Sequence, residues 1–149
     1  MGRIIAITNQ KGGVGKTTTA VNLAASLATC DRRVLLIDID PQGNATTGSG
    51  IDKSQLTNTT CEVLLGEAGA MDTIIQVESG GYAVMPANPD LTAAEVRLMQ
   101  EIGRELKLRQ ALETVVDTYD YVLIDCPPSI NMLTLNALTT AQGVLIPIQ

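Results

Sequence analysis

Nine residues near the start of the chain, Gln10-Lys11-Gly12-Gly13-Val14-Gly15-Lys16-Thr17-Thr18, have the types and spacing to hold a string of phosphates. A β-branched run, Arg3–Thr8, precedes them, and a helical pattern from Lys16 to about Ala28 follows. Strand, glycine-rich turn and helix in succession make an anion site. The N–H groups of Gly12 to Thr17 can curl into a nest, and the helix N-terminus adds roughly half a positive charge. Glycine suits such a turn because it needs positive φ and because side chains would block the phosphates. Lys16 supplies a mobile cation to the β- and γ-phosphates. The Thr17 hydroxyl can ligate Mg²⁺, and Thr18 can donate to the α-phosphate. Lys11, Gly12, Gly13, Val14, Gly15, Lys16, Thr17 and Thr18 therefore read as the phosphate-binding set of a P-loop. The usual G-x-x-x-x-G-K-[ST] pattern is not strictly met, since Gln10 stands at its first position.

Three carboxylates have the placement to work with that loop. Asp38 and Asp40 lie two apart at the end of the apolar run Val34–Ile39, so their side chains point to one side. In open α/β sheets the carboxyl ends of the strands are where ligands bind. One of the two can organise Mg²⁺ through its waters, and the other can orient a water for in-line attack on a γ-phosphate. Asp125 ends a second apolar run, Val122-Leu123-Ile124, and would hold Mg²⁺ mainly through water, because that ion gives up its hydration reluctantly. Cys126 sits beside Asp125, but the chain has no histidine to activate it. A buried apolar role suits it better than a nucleophilic one.

Short β-branched runs alternate with longer helical patterns, which predicts βαβ units and a doubly wound, mostly parallel sheet with helices on both faces. Strands are expected at Arg3–Thr8, Val34–Ile39, Tyr82–Met85, Tyr121–Asp125 and Gly143–Ile148. Helices are expected over Lys16–Ala28, Cys61–Leu65, a segment capped by Asp90 or Thr92 and running through Met99, Ile102–Val116, and Asn131–Ala141. In the Ile102–Val116 helix, Ile102, Leu106, Leu112 and Val116 would face inward, with Glu105 and Arg109 paired outward. The stretch Gly43–Thr60, rich in Gly, Ser, Thr and Asn, reads as loop. Residues 1–149 read as a single P-loop domain whose sheet is incomplete at the C-terminal end, since no helix follows the last strand.

The bulk composition narrows the function. The chain has 149 residues, 45% hydrophobic but only 2% aromatic, so Val, Ile, Leu, Ala and Met must build the core. Net charge is −6. Residues 1–50 carry five Lys/Arg against three acids, and the remainder five against thirteen. The acidic body argues against these residues alone gripping a nucleic-acid backbone, whereas the early positive excess suits a small anion. Cys30, Cys61 and Cys126 are scattered, with no C-x-x-C, which predicts neither a disulfide framework nor a zinc site. The apolar stretch Ile4–Ile7 is too short for a signal or membrane helix. A cytoplasmic protein is expected.

Lys11 through Thr18 resembles the deviant Walker A motif of the ParA/MinD family of P-loop ATPases. Asp38-Ile39-Asp40-Pro41-Gln42-Gly43-Asn44 resembles the second motif of the partition branch, the ParA/Soj chromosome and plasmid segregation ATPases. Tyr121–Ser129, ending in Asp-Cys-Pro-Pro-Ser, is similar to that branch's Walker B and switch segment. The resemblance implies ATP/ADP and Mg²⁺ as cofactors and slow, partner-stimulated hydrolysis of ATP. It implies a cycle between monomer and ATP-sandwich dimer. It makes Lys11, Lys16 and Asp40 catalytic: Lys11 reaching the phosphates of the other subunit, Asp40 positioning the water. Thr17, Asp38 and Asp125 would serve the metal, the two aspartates through water, with Asp38 alternatively serving Lys11. Partners implied are a ParB-type centromere-binding protein and, for a full-length member, non-specific DNA on the nucleoid, with no membrane. A MinD-like membrane-cycling ATPase is the rival within the family, and Asp40-Pro41-Gln42-Gly43-Asn44 speaks against it. An iron-protein reading lacks its cluster cysteines. A remnant that binds nucleotide without turnover is the third alternative.

Overall fold

The structure is a computed structural model that describes residues 2–8 and 16–147. The chain runs β1 (Arg3–Ile7), α1 (Lys16–Thr29), β2 (Val34–Asp38), α2 (Asn44–Gly48), α3 (Thr60–Leu64), β3 (Ile75–Val77) and β4 (Tyr82–Met85). It continues through α4 (Leu91–Leu98), α5 (Lys107–Leu112), β5 (Tyr121–Asp125), α6 (Met132–Thr140) and β6 (Gly143–Leu145). The strands form one sheet in the order β3-β4-β2-β5-β1-β6. All neighbours are parallel except β3, which pairs antiparallel with β4.

Alternating side chains feed two cores. On one face, Ile7, Val34, Leu36, Val84 and Leu123 pack against Ala20 and Ala24 of α1 and Ala45 of α2. On the other, Ile4, Leu35, Ile37, Val122 and Ile124 meet residues of α3, α4, α5 and α6. Strands buried on both faces must be apolar throughout, which is why β2 and β4 read as unbroken runs rather than alternations. Ala20 and Ala24 are fully buried, so α1 lies close on the sheet with small side chains at the contact.

This wiring creates a switch point. From β1 the chain crosses by α1 to β2, on the far side of β5; from β5 it crosses by α6 to β6, on the far side of β1. The two connections run in opposite directions over opposite faces. The crevice they leave at the carboxyl ends of β1 and β5 is where doubly wound sheets take ligands.

Several local expectations change. Gly43–Thr60 is not plain loop: it contains α2 and a 3-10 turn at Lys53–Gln55. β3 has only three residues and carries no strong pattern of its own. Asp90 does stand at the N-terminus of α4, but its backbone is helical and its side chain makes no cap. The single helix expected over Ile102–Val116 is broken. Gly103 takes φ 70°, a 3-10 turn follows at Arg104–Leu106, and α5 starts only at Lys107. Ile102 is 99% exposed and Leu108 faces the core instead, while Leu112 is buried as expected. The ion pair found in this stretch is Lys107 with Glu101 at 3.3 Å, not the expected Glu105 with Arg109.

The break is held by a buried asparagine from a distant helix. Asn136 Oδ1 accepts the Leu108 N–H at 3.0 Å, and its Nδ2 donates to the carbonyls of Arg104 at 2.9 Å and Met132 at 3.0 Å. Alanine there would strand a buried N–H and a carbonyl. Asn136→Ala is expected to lower stability by about 3 kcal/mol, seen as a lower urea midpoint with an unchanged m-value. An unshifted midpoint would show that water replaces the amide at no cost.

β6 is an edge strand, and Val144 and Ile146 are 52% and 59% exposed. The expected strand extends to Ile148, which lies outside the described residues. Among the described residues no helix is long and apolar enough to cross a membrane.

Candidate functional site

Three strand ends build the site. β1, β5 and β2 stand side by side, and their registers set Ile7, Asp125 and Asp38 level. Asp125 shares a face with Leu123, and Asp38 with Leu36, both of which pack on the α1 side. The two carboxylates therefore emerge together beside the first turn of α1. Thr17, in that turn, donates its hydroxyl proton to Asp125 Oδ2 at 3.2 Å. The strand ends are tied by main-chain bonds from Cys126 N to Ile7 O and from Ile39 N to Asp125 O, each 3.1 Å. Cys126 is buried with the opposite core, where the apolar role expected for it is met.

Asp38 is fully buried and densely bonded. Its Oδ2 accepts from the Thr46 N–H at 2.9 Å and the Thr46 hydroxyl at 2.7 Å. Its Oδ1 accepts from the Asp40 N–H at 3.1 Å. Its own carbonyl accepts from the Thr60 hydroxyl at 2.9 Å. Asp40, only 4% exposed, turns the chain: its Oδ1 accepts from Gln42 N at 3.0 Å, and its carbonyl from Gly43 N at 2.8 Å. Lys53 closes this turn by donating Nζ to the Gln42 carbonyl at 2.8 Å. Gly43 takes φ 64°, and a Cβ there would sit 2.8 Å from Lys53 Cδ and 3.0 Å from the Ala87 carbonyl. A side chain is excluded on both counts.

Two acids stand level on neighbouring buried strand ends, and this sets the electrostatics. Burial, and next the nearby Asp125, push the Asp38 carboxyl up to about 7 from its ordinary 3.8, against the pull of the Thr46 and Asp40 donors. A carboxyl raised in this way binds its proton more tightly folded than unfolded. Its stabilising contribution is complete below about pH 3.8 and is lost as pH rises to about 7. In magnesium-free, nucleotide-free buffer, thermal stability should therefore fall across that window, and Asp38→Asn should flatten the decline. A decline of equal slope in the variant would assign it to other groups.

Thr17 and Asp125 offer one hydroxyl and one carboxylate oxygen at the switch point. Among the described residues no group of three or more His, Cys, Asp or Glu gathers as a metal cage. A hydroxyl and one or two carboxylates, completed by phosphate and water oxygens, is the donor set that suits Mg²⁺. The buried acidic pair is also an arrangement that a divalent cation would relieve.

Thr17 meets Asp125 directly and Asp38 stands level with Asp125, while Asp40 follows two residues on, bonded to Asp38 and Gln42. Thr18 is exposed on the same helical turn. Lys11, Gly12, Gly13, Val14, Gly15 and the Lys16 side chain lie outside the described residues. Sequence reasoning missed Thr46, Thr60 and Lys53. The signal for Thr46 was its place just after Gly43, where a left-handed glycine can open a short helix whose early N–H groups seek an acceptor.

A family model described as an AAA domain matches residues 2–149. The chain belongs to the AAA domain family. This AAA domain chain is 55% identical over 149 residues to chromosome partitioning protein ParA of Myxococcus xanthus, covering 100% of the chain and 53% of that protein. It is 53% identical over 149 residues to sporulation initiation inhibitor protein Soj of Bacillus subtilis, covering 100% and 59%. The chain therefore spans a little over half the length of these curated relatives. The ParA/Soj resemblance read from its three motifs holds over its whole length. Among solved structures, it superposes with TM-score 0.97 and 44% identity on a Mycobacterium smegmatis protein described as cobyrinic acid a,c-diamide synthase. That protein was crystallised with bound ATP analog and magnesium, and the match covers 100% of this chain and 61% of that one. The doubly wound, mostly parallel fold expected from sequence is the fold observed.

Proposed function

We propose that this chain is the nucleotide-binding portion of an ATP-dependent partition switch, a single P-loop domain that binds ATP or ADP with Mg²⁺ and hydrolyses ATP slowly. The observation that carries the reading is the Thr17–Asp125 hydrogen bond at the switch point, with Asp38 level beside it. Residues Lys11 to Thr18 cradle the phosphates, with Lys16 on the β- and γ-phosphates. Mg²⁺, when bound, neutralises charge on the phosphates, and Thr17 and Asp125 hold it, Asp125 and Asp38 through water. Asp40 orients the water for in-line attack on the γ-phosphate.

Lys11 reaches the phosphates of a second subunit, so ATP closes a homodimer and hydrolysis opens it. Two facing cationic loops repel until phosphates lie between them. The partition role, in the cytoplasm on the nucleoid, rests on similarity to ParA and Soj. It brings with it a ParB-type partner that stimulates turnover and, for the longer protein, non-specific DNA. Calorimetry with ATP and ADP, with and without Mg²⁺, tests the binding; phosphate release with and without DNA tests the switch. Absence of binding heat from folded protein would end the reading.

The synthase description of the Mycobacterium smegmatis structure favours a second reading, ATP-driven amide formation on a corrinoid acid. Phosphate release that depends on cobyrinic acid and ignores DNA would select it.

A further inference from the structure

We propose that Thr46 is a positioning residue for Asp40, acting through the Asp38 carboxylate. This deepens the hydrolytic reading above and rests on it. Thr46 is fully buried in α2, and its hydroxyl has a direction that can be read without seeing the proton. The Ala87 N–H, 2.9 Å away, can only donate, so Thr46 Oγ1 must accept there. Its one proton is then committed to Asp38 Oδ2, at 2.7 Å, beside the Thr46 N–H on the same oxygen at 2.9 Å. That pair of bonds fixes the rotation of the Asp38 carboxylate. The opposite oxygen is thereby presented to the Asp40 N–H at 3.1 Å.

Asp40 lies past the end of β2, and the Asp38 side chain accepts its N–H. From that fixed N–H, the Asp40 carboxylate is turned back on Gln42 N at 3.0 Å. The chain of bonds therefore runs from Ala87, two residues past β4, through Thr46 and Asp38, to Asp40. Its members are 41, eight and two residues apart in sequence, so the tertiary fold aligns them. In-line attack tolerates little misplacement of the group that orients water, and an error of about 1 Å can cost about 100-fold in rate. A residue that sets the Asp40 main chain should then act on turnover rather than on nucleotide binding.

Thr46→Val keeps the shape and removes both hydroxyl functions; Thr46→Ser restores them. The expected result is a kcat for ATP hydrolysis lowered at least about 10-fold in Thr46→Val, with KM for ATP and the calorimetric Kd within about 2-fold of the unmodified chain. Thr46→Ser should return kcat to within about 3-fold. Should the valine variant not fold, Thr46→Cys supplies a weak donor in a smaller side chain, and its kcat should fall clearly below that of Thr46→Ser. Unchanged kcat in Thr46→Val, equal losses in kcat and ATP affinity, or no rescue by serine would each overturn the proposal. So would equal kcat in the cysteine and serine variants. An unmodified chain that binds ATP yet releases no phosphate would instead bring down the hydrolytic reading, and the role of Thr46 with it.

Discussion

Lys16→Ala is expected to abolish measurable binding of both ATP and ADP. Lys16 opens α1, one residue before the Thr17 hydroxyl that meets Asp125. Asp38 and Asp125 are both fully buried and Asp40 is 4% exposed, so three acids lie beneath the strand ends. A polyphosphate brought close to them needs compensating positive charge. Backbone N–H groups and the helix terminus offer partial charges only, and charge-assisted contacts are the strong ones. Losing that contact should weaken binding by about 3 kcal/mol or more, roughly 100-fold or greater in Kd. The measurement is calorimetry paired with thermal unfolding. At a ligand concentration about 100 times Kd, the unmodified chain should gain about 2.7 kcal/mol of stability and the variant nothing. Without nucleotide the two should melt alike, which separates a binding defect from a folding one. Equal ATP affinity in the variant would refute the phosphate-loop assignment itself.

Asp40→Ala should separate turnover from binding in the opposite sense. Asp40 lies past the end of β2, with its N–H on Asp38 and its Oδ1 accepting from Gln42 N, whereas Thr17 and Asp125 bond to one another. Removing the Asp40 carboxylate is expected to spare the Thr17–Asp125 pair. ATP affinity should stay within about 2-fold and ATP-dependent dimerisation should persist, while phosphate release falls about 100-fold or more. Alanine also deletes the acceptor for Gln42 N, so Asp40→Asn is the companion variant. Asparagine can keep that turn bond but lacks the charge that orients and polarises water. Both variants should lose turnover together. Normal hydrolysis in either would remove Asp40 from the mechanism; loss in alanine with full activity in asparagine would make it a turn residue alone.

Much of this architecture was legible before any coordinates. Val34–Asp38 and Tyr121–Asp125 are buried on nearly every side, so their apolar runs announced strands and their terminal acids announced strand ends. The helix expected near Asn131–Ala141 forms, and Asn131 caps it, accepting from Thr134 N at 3.1 Å. Thr17 and Asp125, 108 residues apart, were each expected to serve the metal, and the fold joins them by a hydrogen bond. Failures fell where a long-range contact overruled a local pattern. Leu106, Leu112 and Val116 keep helical spacing, yet Gly103 and the Asn136 amide stop and restart the chain inside that stretch. The Gly/Thr/Asn-rich segment after Gly43 lacks helical periodicity, yet it folds as α2 because Asp38 supplies an acceptor for the Thr46 N–H.

Residue order alone settled the strand-ending acids and the parallel sheet, since each depends on spacing over a few residues and on which side chains tolerate burial. Tertiary structure alone decided that Asp38 is held by Thr46, that Lys53 closes over Gln42, and that Ile102 turns outward. Hydrogen bonds between distant segments leave no period in a sequence. They are chosen only when the packed sheet brings donor and acceptor within about 3 Å of each other and shuts out water that would otherwise satisfy both.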